Sequence, residues 1–287
     1  MNPSQAKRIF KQSRAIPGWF SKEAALLFAW LDEIQKHHSV RGDCFEIGCH
    51  HGKSAVLLGA LVDKEQEKLS VCDLFGMQDG NISNSGSGDF DAFKSNLSPL
   101  RQEGLNVTVF QKNSMRLTAT EIGKTYRIFH VDGGHNPDEA LADLLLAADC
   151  TVDSGVIILD DPFRSEWPGV TEALVRFLDR RADFQAIMVG FNKLVLVQTK
   201  FSDMYLNSLH APKQREEFGF SYPWRIKEMP FHKSAINVLY VPDYRQAKTP
   251  GNLVRRIYHK YDWLNKLGSR KVNNAVIKPA IHSDTRS

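Results

Sequence analysis

The sequence predicts an α/β protein built on a doubly wound, mostly parallel sheet. Three observations predict it. Apolar runs of strand length alternate with amphipathic runs of helix length between residues 43 and 199, the pattern of parallel strands joined by crossover helices on both faces of one sheet. A glycine-containing turn joins the first strand to the helix after it. Acidic residues stand just past several strands, where such sheets bind ligands.

The elements follow in order. Residues 4–15 suit a short helix, broken at Ile16-Pro17-Gly18. Ser21 can cap the next helix, with Glu23 in its favourable first turn, and that helix runs to about His38. Residues 1–42 thus form an N-terminal helical segment. Strands are predicted at Cys44–Ile47, Leu69–Cys72, Asn106–Phe110, Tyr126–Val131 and Gly155–Leu159, with helices at Lys53–Val62, Pro137–Ala148 and Gly169–Arg180. Phe184–Val189 and Lys193–Gln198, joined by Gly190-Phe191-Asn192, read as a closing hairpin that adds an antiparallel strand. The Rossmann-like domain so defined spans 43–199, and a basic extension occupies 200–287. The run Gly76–Asp91 is too long for a simple turn and reads either as a loose loop or as a lid.

Bulk properties exclude several classes. Of the 287 residues, 42% are hydrophobic and 24% charged, ordinary values for a folded soluble protein. No apolar run reaches the roughly 18 residues that cross a bilayer, and the basic N-terminus is not followed by an apolar signal core, so a cytoplasmic location is expected. Cys44, Cys49, Cys72 and Cys150 form no CxxC pair and read as buried thiols of a reducing compartment. The net charge of +4 is uneven: residues 200–287 hold 16 Lys and Arg against 7 Asp and Glu. In that segment Thr249-Pro250 opens an expected helix. Leu253, Ile257, Tyr261 and Leu264 share one of its faces, flanked by Arg255, Arg256, Lys260 and Lys266. It either docks on its own domain or makes peripheral contact with an anionic membrane. No nucleic-acid-binding motif accompanies the charge, and self-association stays open.

Four motifs carry chemistry. Glu46-Ile47-Gly48-Cys49-His50-His51-Gly52 ends a strand and opens a helix, bringing backbone and free N–H groups close to a ligand. It is not the dinucleotide fingerprint GxGxxG, since position 50 is His. Nor is it a phosphate loop, because only three residues separate Gly48 from Gly52 where that loop needs four. Asp73 ends the second strand, 21 residues after Gly52, where a carboxylate can accept both ribose hydroxyls. Asn113-Ser114 follows the third strand and either faces an adenine edge or simply makes a turn. Asp132-Gly133-Gly134-His135 and Asp160-Asp161 follow the fourth and fifth strands. If those strands are neighbours, three carboxylates converge and call for a cation, with hard oxygen ligands suited to Mg²⁺ or a similar ion; otherwise the aspartates cap turns. His135 is placed to take a proton.

The strings FEIGCHHGKSAVLL, VCDLFGM, HVDGGHNPDEALADL and VIILDDPFRSEWPGV resemble class I S-adenosylmethionine-dependent methyltransferases. More narrowly they resemble the metal-dependent macrolide-sugar O-methyltransferases such as macrocin O-methyltransferase. The resemblance spans roughly residues 15–200. It implies that Glu46, Gly48 and Gly52 cradle the methionine part of S-adenosylmethionine, with His50 and Ser54 beside them. It further implies Asp73 on the ribose, and Asn113, Ser114 and Asp132 are further candidate contacts to the cofactor. Asp132, Asp160 and Asp161 would hold the divalent cation and His135 would be the base, acting on a small-molecule or glycan acceptor. One departure is Asp160, where some relatives carry Glu; it shortens a ligand arm, and Pro162 fixes the backbone behind it. Two other readings stay open: a metal-dependent hydrolase-type enzyme on the same fold, and a non-catalytic binding module.

Overall fold

The structure is a computed structural model that describes residues 1–82, 86–221 and 223–241. The expected basic helix from Thr249, the tail beyond it, Tyr222 and the middle of the Gly76–Asp91 run lie outside the described residues.

Two helices come first, α1 (Pro3–Ser13) and α2 (Lys22–His37). Asn2 caps α1, and Ser21 caps α2 by accepting the Ala24 N–H at 3.0 Å. The alternating part follows: β1 (Asp43–Ile47), α3 (Lys53–Leu61), β2 (Leu69–Asp73), α4 (Phe90–Gln102), β3 (Val107–Gln111), α5 (Ala119–Ile122), β4 (Tyr126–Val131), α6 (Pro137–Cys150), β5 (Thr151–Asp160), α7 (Pro168–Arg180), β6 (Phe184–Gly190) and β7 (Lys193–Gln198). Then come α8 (Ser202–His210), α9 (Pro212–Glu217), β8 (Arg225–Phe231) and β9 (Ser234–Tyr240).

All the strands join one sheet in the order β3-β2-β1-β4-β5-β7-β6-β9-β8. From β3 to β5 every pairing is parallel, so the doubly wound sheet expected from the alternation is present. The chain winds outward from β1 in both directions, which places the switch point between β1 and β4. The closing hairpin is threaded so that β7 inserts between β5 and β6, antiparallel to both. The sheet does not end there. β9 pairs parallel with β6 and antiparallel with β8, so residues 225–240 extend the sheet.

Strand side chains alternate between two cores, one on each face. Cys44, Ile128, Val156 and Ile158 pack under α2, α3 and α8, whereas Phe45, Phe129, Ile157 and Leu159 pack under α6 and α7. Ala6 and Leu27 from the N-terminal segment share the first core with Tyr205, Leu209 and Phe220 from beyond residue 200, so these flanking segments are built into the same body. Buried Arg127 on β4 ties the layers together. It reaches Asp32 on α2 at 2.9 Å and Glu67 at 3.2 Å, and a buried guanidinium needs such partners to offset its desolvation.

Candidate active site

The glycine turn sits at the switch point. Gly48 has φ of 82°, and a Cβ there would lie 1.7 Å from the Asp132 carbonyl oxygen, so only glycine lets β1 and β4 end this close. The Asp132 N–H donates to the Ile47 carbonyl at 2.9 Å, fixing the two strand ends side by side. His50 follows with φ of 51°, and its N–H donates to Asp73 Oδ2 at 2.7 Å. Gly52, with φ of 87°, is the N-cap of α3 and leaves the helix N-terminus without a side-chain cap, a natural seat for negative charge.

Asp73 also accepts the Phe75 N–H. Burial pushes its carboxyl up, against the pull of those two backbone donors. Each oxygen keeps a second lone pair for a further donor. His50 stacks beside exposed Trp19, ring centroids 5.8 Å apart, and its Nδ1 meets His51 Nδ1 at 2.7 Å. Burial, and then the neighbouring His51, lower the His50 imidazole below its ordinary value.

A cavity of about 330 Å³ opens along the strand ends, within the range of small-molecule sites. Gly48, His50, Ser54, Asp73, Asn113, Ser114, Asp132, His135, Asp160 and Asp161 all line it, with Gly48 and Asp132 side by side where β1 and β4 end. Two of the expected contact residues are not on its wall. Glu46 is fully buried, with Oε1 2.8 Å from His130 Nδ1; it lies on the strand itself, one residue before the chain turns out into the cavity. Gly52 packs against Leu97 and Phe93 of α4.

The acidic end has internal order. Asp161, with φ of 53°, accepts from His135 Nε2 at 2.9 Å and Arg164 at 3.1 Å. Burial alone would raise its carboxyl, but the bonds from His135, Asn192 and Arg164 outweigh it and hold it down to about 2. Asp132 goes the other way: burial, and then the Asp160 carboxylate, push it well above the usual range. Asp160 Oδ2 lies 2.6 Å from the buried Lys193 ammonium, while Oδ1 accepts the Asp161 N–H at 2.7 Å and Asn192 at 3.0 Å. Ligand atoms of Asp132, His135 and Asp161 fall within 4.8 Å of one another, as do those of His130, Asp132 and Asp160. His135 lies against Trp167, ring centroids 4.4 Å apart and tilted by 38°, and its Nδ1 is buried with no partner among the described residues.

Sequence reasoning missed Asn192, Lys193, Arg164, Trp167 and His130. Asn192 read as turn punctuation and Lys193 as the first residue of a strand. Only the insertion of β7 next to β5 brings them to the acid pair. His130 carried a usable signal: it is a polar residue inside the apolar run Tyr126–Val131.

A switch-point glycine turn, a strand-end aspartate and an acid-histidine patch thus line one cavity, the arrangement that the resemblance to class I methyltransferases implies. In agreement, a family model described as a methyltransferase domain matches residues 45–162. No curated protein matches the chain. Among solved structures, the O-methyltransferase NovP is 15% identical with a TM-score of 0.51, covering 67% of this chain and 88% of that one. The TDP-rhamnose 3′-O-methyltransferase CalS11 of calicheamicin biosynthesis is 12% identical with a TM-score of 0.48, covering 68% and 93%. The SAH-bound methyltransferase PaMTH1 of Podospora anserina is 14% identical with a TM-score of 0.49, covering 68% and 87%.

Proposed function

We propose that the chain is an S-adenosylmethionine-dependent O-methyltransferase acting on a sugar hydroxyl or a related polyhydroxyl small molecule. One observation carries this reading: a single cavity is lined both by the glycine turn and Asp73 and by Asp132, His135 and Asp161. A nucleoside-bearing sulfonium held by the first group would direct its methyl group toward an acceptor held by the second.

In this reading Asp73 takes the ribose hydroxyls. The backbone of Gly48 to His50 and the start of α3 seat the methionine carboxylate, with Ser54 beside it, and Asn113 and Ser114 border the adenine. Asp161 holds the imidazole of His135 through Nε2–H. That leaves the lone pair of Nδ1, buried in the free structure, to take the acceptor's proton once the acceptor lies against the ring. Trp167 fixes the ring plane, and the cavity walls keep the reacting oxygen aligned and shielded from bulk water, which is the chief help an already activated methyl donor needs.

The acidic end fits a hard divalent cation such as Mg²⁺. Three carboxylates face two cationic side chains, Lys193 and Arg164, and burial together with the Asp160 carboxylate pushes the Asp132 carboxyl up from its ordinary value, an imbalance a divalent cation would relieve. Drawn from Asp132, Asp160 and Asp161, the ligands would hold an ion that polarises the acceptor hydroxyl and eases its deprotonation.

The test is calorimetry with S-adenosylmethionine, with and without Mg²⁺, followed by transfer of labelled methyl to a panel of sugars, nucleotide sugars and catechols. Binding followed by transfer is expected. Absence of binding would sink the reading and favour the hydrolase-type alternative; binding without transfer to any acceptor would favour a non-catalytic module.

A further inference from the structure

Lys193 is a buried cation seated on one of the carboxylates assigned above to a metal. We propose that it takes Asp160 out of the ligand set, so that a divalent cation is held by Asp132 and Asp161 alone and therefore loosely. The proposal rests on the cation reading of the preceding subsection.

The placement is built by the sheet. Asp160 ends β5 and Lys193 begins β7, and the two are register partners across the antiparallel pair. The Lys193 side chain is 2% exposed, its ammonium 2.6 Å from Asp160 Oδ2 and 5.5 Å from the centre of the Phe20 ring. The turn before it is a two-residue hairpin loop, Phe191-Asn192, with φ of 58° and 62°. Both central residues therefore occupy the left-handed region such a turn requires, at a cost glycine would avoid. Aromatic packing holds the costly turn: Phe191 stacks on Phe220 at 5.4 Å and meets Trp224 edge-on at 4.5 Å. Asn192 then uses the position fully. Its Nδ2 donates to both Asp160 and Asp161, and its carbonyl accepts the Asp161 N–H at 3.3 Å.

The consequence for Asp160 is saturation. Oδ2 faces an ammonium that cannot leave, because Lys193 is sealed in. Oδ1 already accepts two N–H donors. A metal ion drawing on Asp160 would have to approach Lys193 at close range, where two cations repel strongly in a poorly solvated site. Asp161 also accepts from Asn192 and His135, but its cationic partner, Arg164, is 39% exposed rather than sealed in. Asp132 has no cationic side chain bonded to it among the described residues. Lys193 and Asn192 thus act as positioning residues, and the segment after residue 200 serves the site by buttressing their turn.

The test is Mn²⁺ binding to the full chain, followed by electron paramagnetic resonance of the free ion. Lys193→Met keeps an unbranched side chain one atom shorter and removes its charge. It is expected to bind Mn²⁺ roughly tenfold or more tighter than the parent, and Lys193→Met/Asp160→Asn to lose that gain, because the gain comes from Asp160 joining the ligand set. Lys193→Arg should bind as the parent does. Parent-like or weaker binding by a folded Lys193→Met chain, in a parent that does bind Mn²⁺, overturns the proposal and leaves the cation reading standing. Absence of Mn²⁺ binding in every chain overturns both. A second measurement needs no variant: the anomalous signal of Mn²⁺ soaked into crystals of the parent protein. An ion on Asp132 and Asp161 oxygens, away from Asp160, supports the proposal. An Asp160 oxygen at coordination distance, roughly 2.2 Å, refutes it.

Discussion

Glu46 and His130 face each other across β1 and β4, register partners with Glu46 Oε1 2.8 Å from His130 Nδ1 and both side chains sealed from solvent. The far ring nitrogen, Nε2, lies 3.9 Å from Asp160 Oδ2, which in turn meets Lys193. A polar row therefore crosses four adjacent strands directly beneath the cavity floor. Phe28 of α2 closes over it, its ring 5.1 Å from that of His130 and edge-on to it. Such a row fixes the heights and directions of the carboxylates above it, because each member has a defined neighbour.

His135 is the base in the proposed reaction, so His135→Ala should lower the turnover number by about 10² to 10⁴. The affinity for S-adenosylmethionine should stay within about threefold, since His135 sits at the acceptor end. Single-turnover transfer and calorimetry on the same preparation check both halves. Undiminished turnover would remove His135 from the mechanism.

Asp73 is expected to bind the ribose as a carboxylate while also accepting the N–H groups of His50 and Phe75. Asp73→Asn turns one acceptor oxygen into a donor and removes the charge. Each charge-assisted hydrogen bond is worth about 1.5–3 kcal/mol, so S-adenosylmethionine should bind roughly 10- to 100-fold more weakly. Unchanged binding by calorimetry would contradict the ribose assignment.

Gly48 and Gly104 both have positive φ, but only Gly48 faces backbone: a Cβ on Gly104 meets nothing within 4 Å. Gly104→Ala should cost about 1 kcal/mol, the conformational penalty alone. Gly48→Ala adds a collision with the Asp132 carbonyl, which no side-chain rotation relieves. Its cost should exceed about 3 kcal/mol and abolish cofactor binding. Urea unfolding of the two variants side by side reads the difference.

Asp143 on α6 is buried beneath Gly133 with neither carboxylate oxygen in a well-formed hydrogen bond among the described residues, and burial raises its carboxyl more than nearby Ser114 pulls it down. Burial pushes its carboxyl up to about 7. The folded chain therefore holds a proton there that the unfolded chain releases near pH 4. Stability from this group is present in full below pH 4 and is lost as pH rises through 7, to an extent of roughly 4 kcal/mol at most. Asp143→Asn carries no titrating proton. Its melting temperature relative to the parent should rise steadily between pH 4 and pH 8, and a pH-independent difference would show that the parent keeps no proton at this site.

Much of the sheet is legible in the chain because its central strands are buried on both faces and read as continuous apolar runs. Tyr126–Val131 is bounded in the sequence as in the structure, and Ser21 caps α2 as its type and place predict. Other parts lack a local signal. α4 follows a run of Gly, Ser and Asn and contains Pro99, so no helical period stands out. β8 is an edge strand whose side chains are mostly exposed, with Pro230 near its end, and its composition resembles a loop. At the site, the strand-end aspartates and the glycine turn are visible because strand ends are where parallel sheets bind. Lys193 and Asn192 are not, because their nearness to Asp160 follows from the strand order β5-β7-β6 and from nothing in their own neighbourhood.

The four cysteines are unpaired and buried, and burial raises all their thiols, Cys44 to about 12 and Cys150 to about 11. Thiols so rarely ionised react slowly, which leaves the native surface blank to maleimide dyes. A single cysteine introduced at Trp19, 76% exposed at the cavity mouth, would then be labelled alone. A fluorophore there would report ligand entry in the otherwise unmodified molecule.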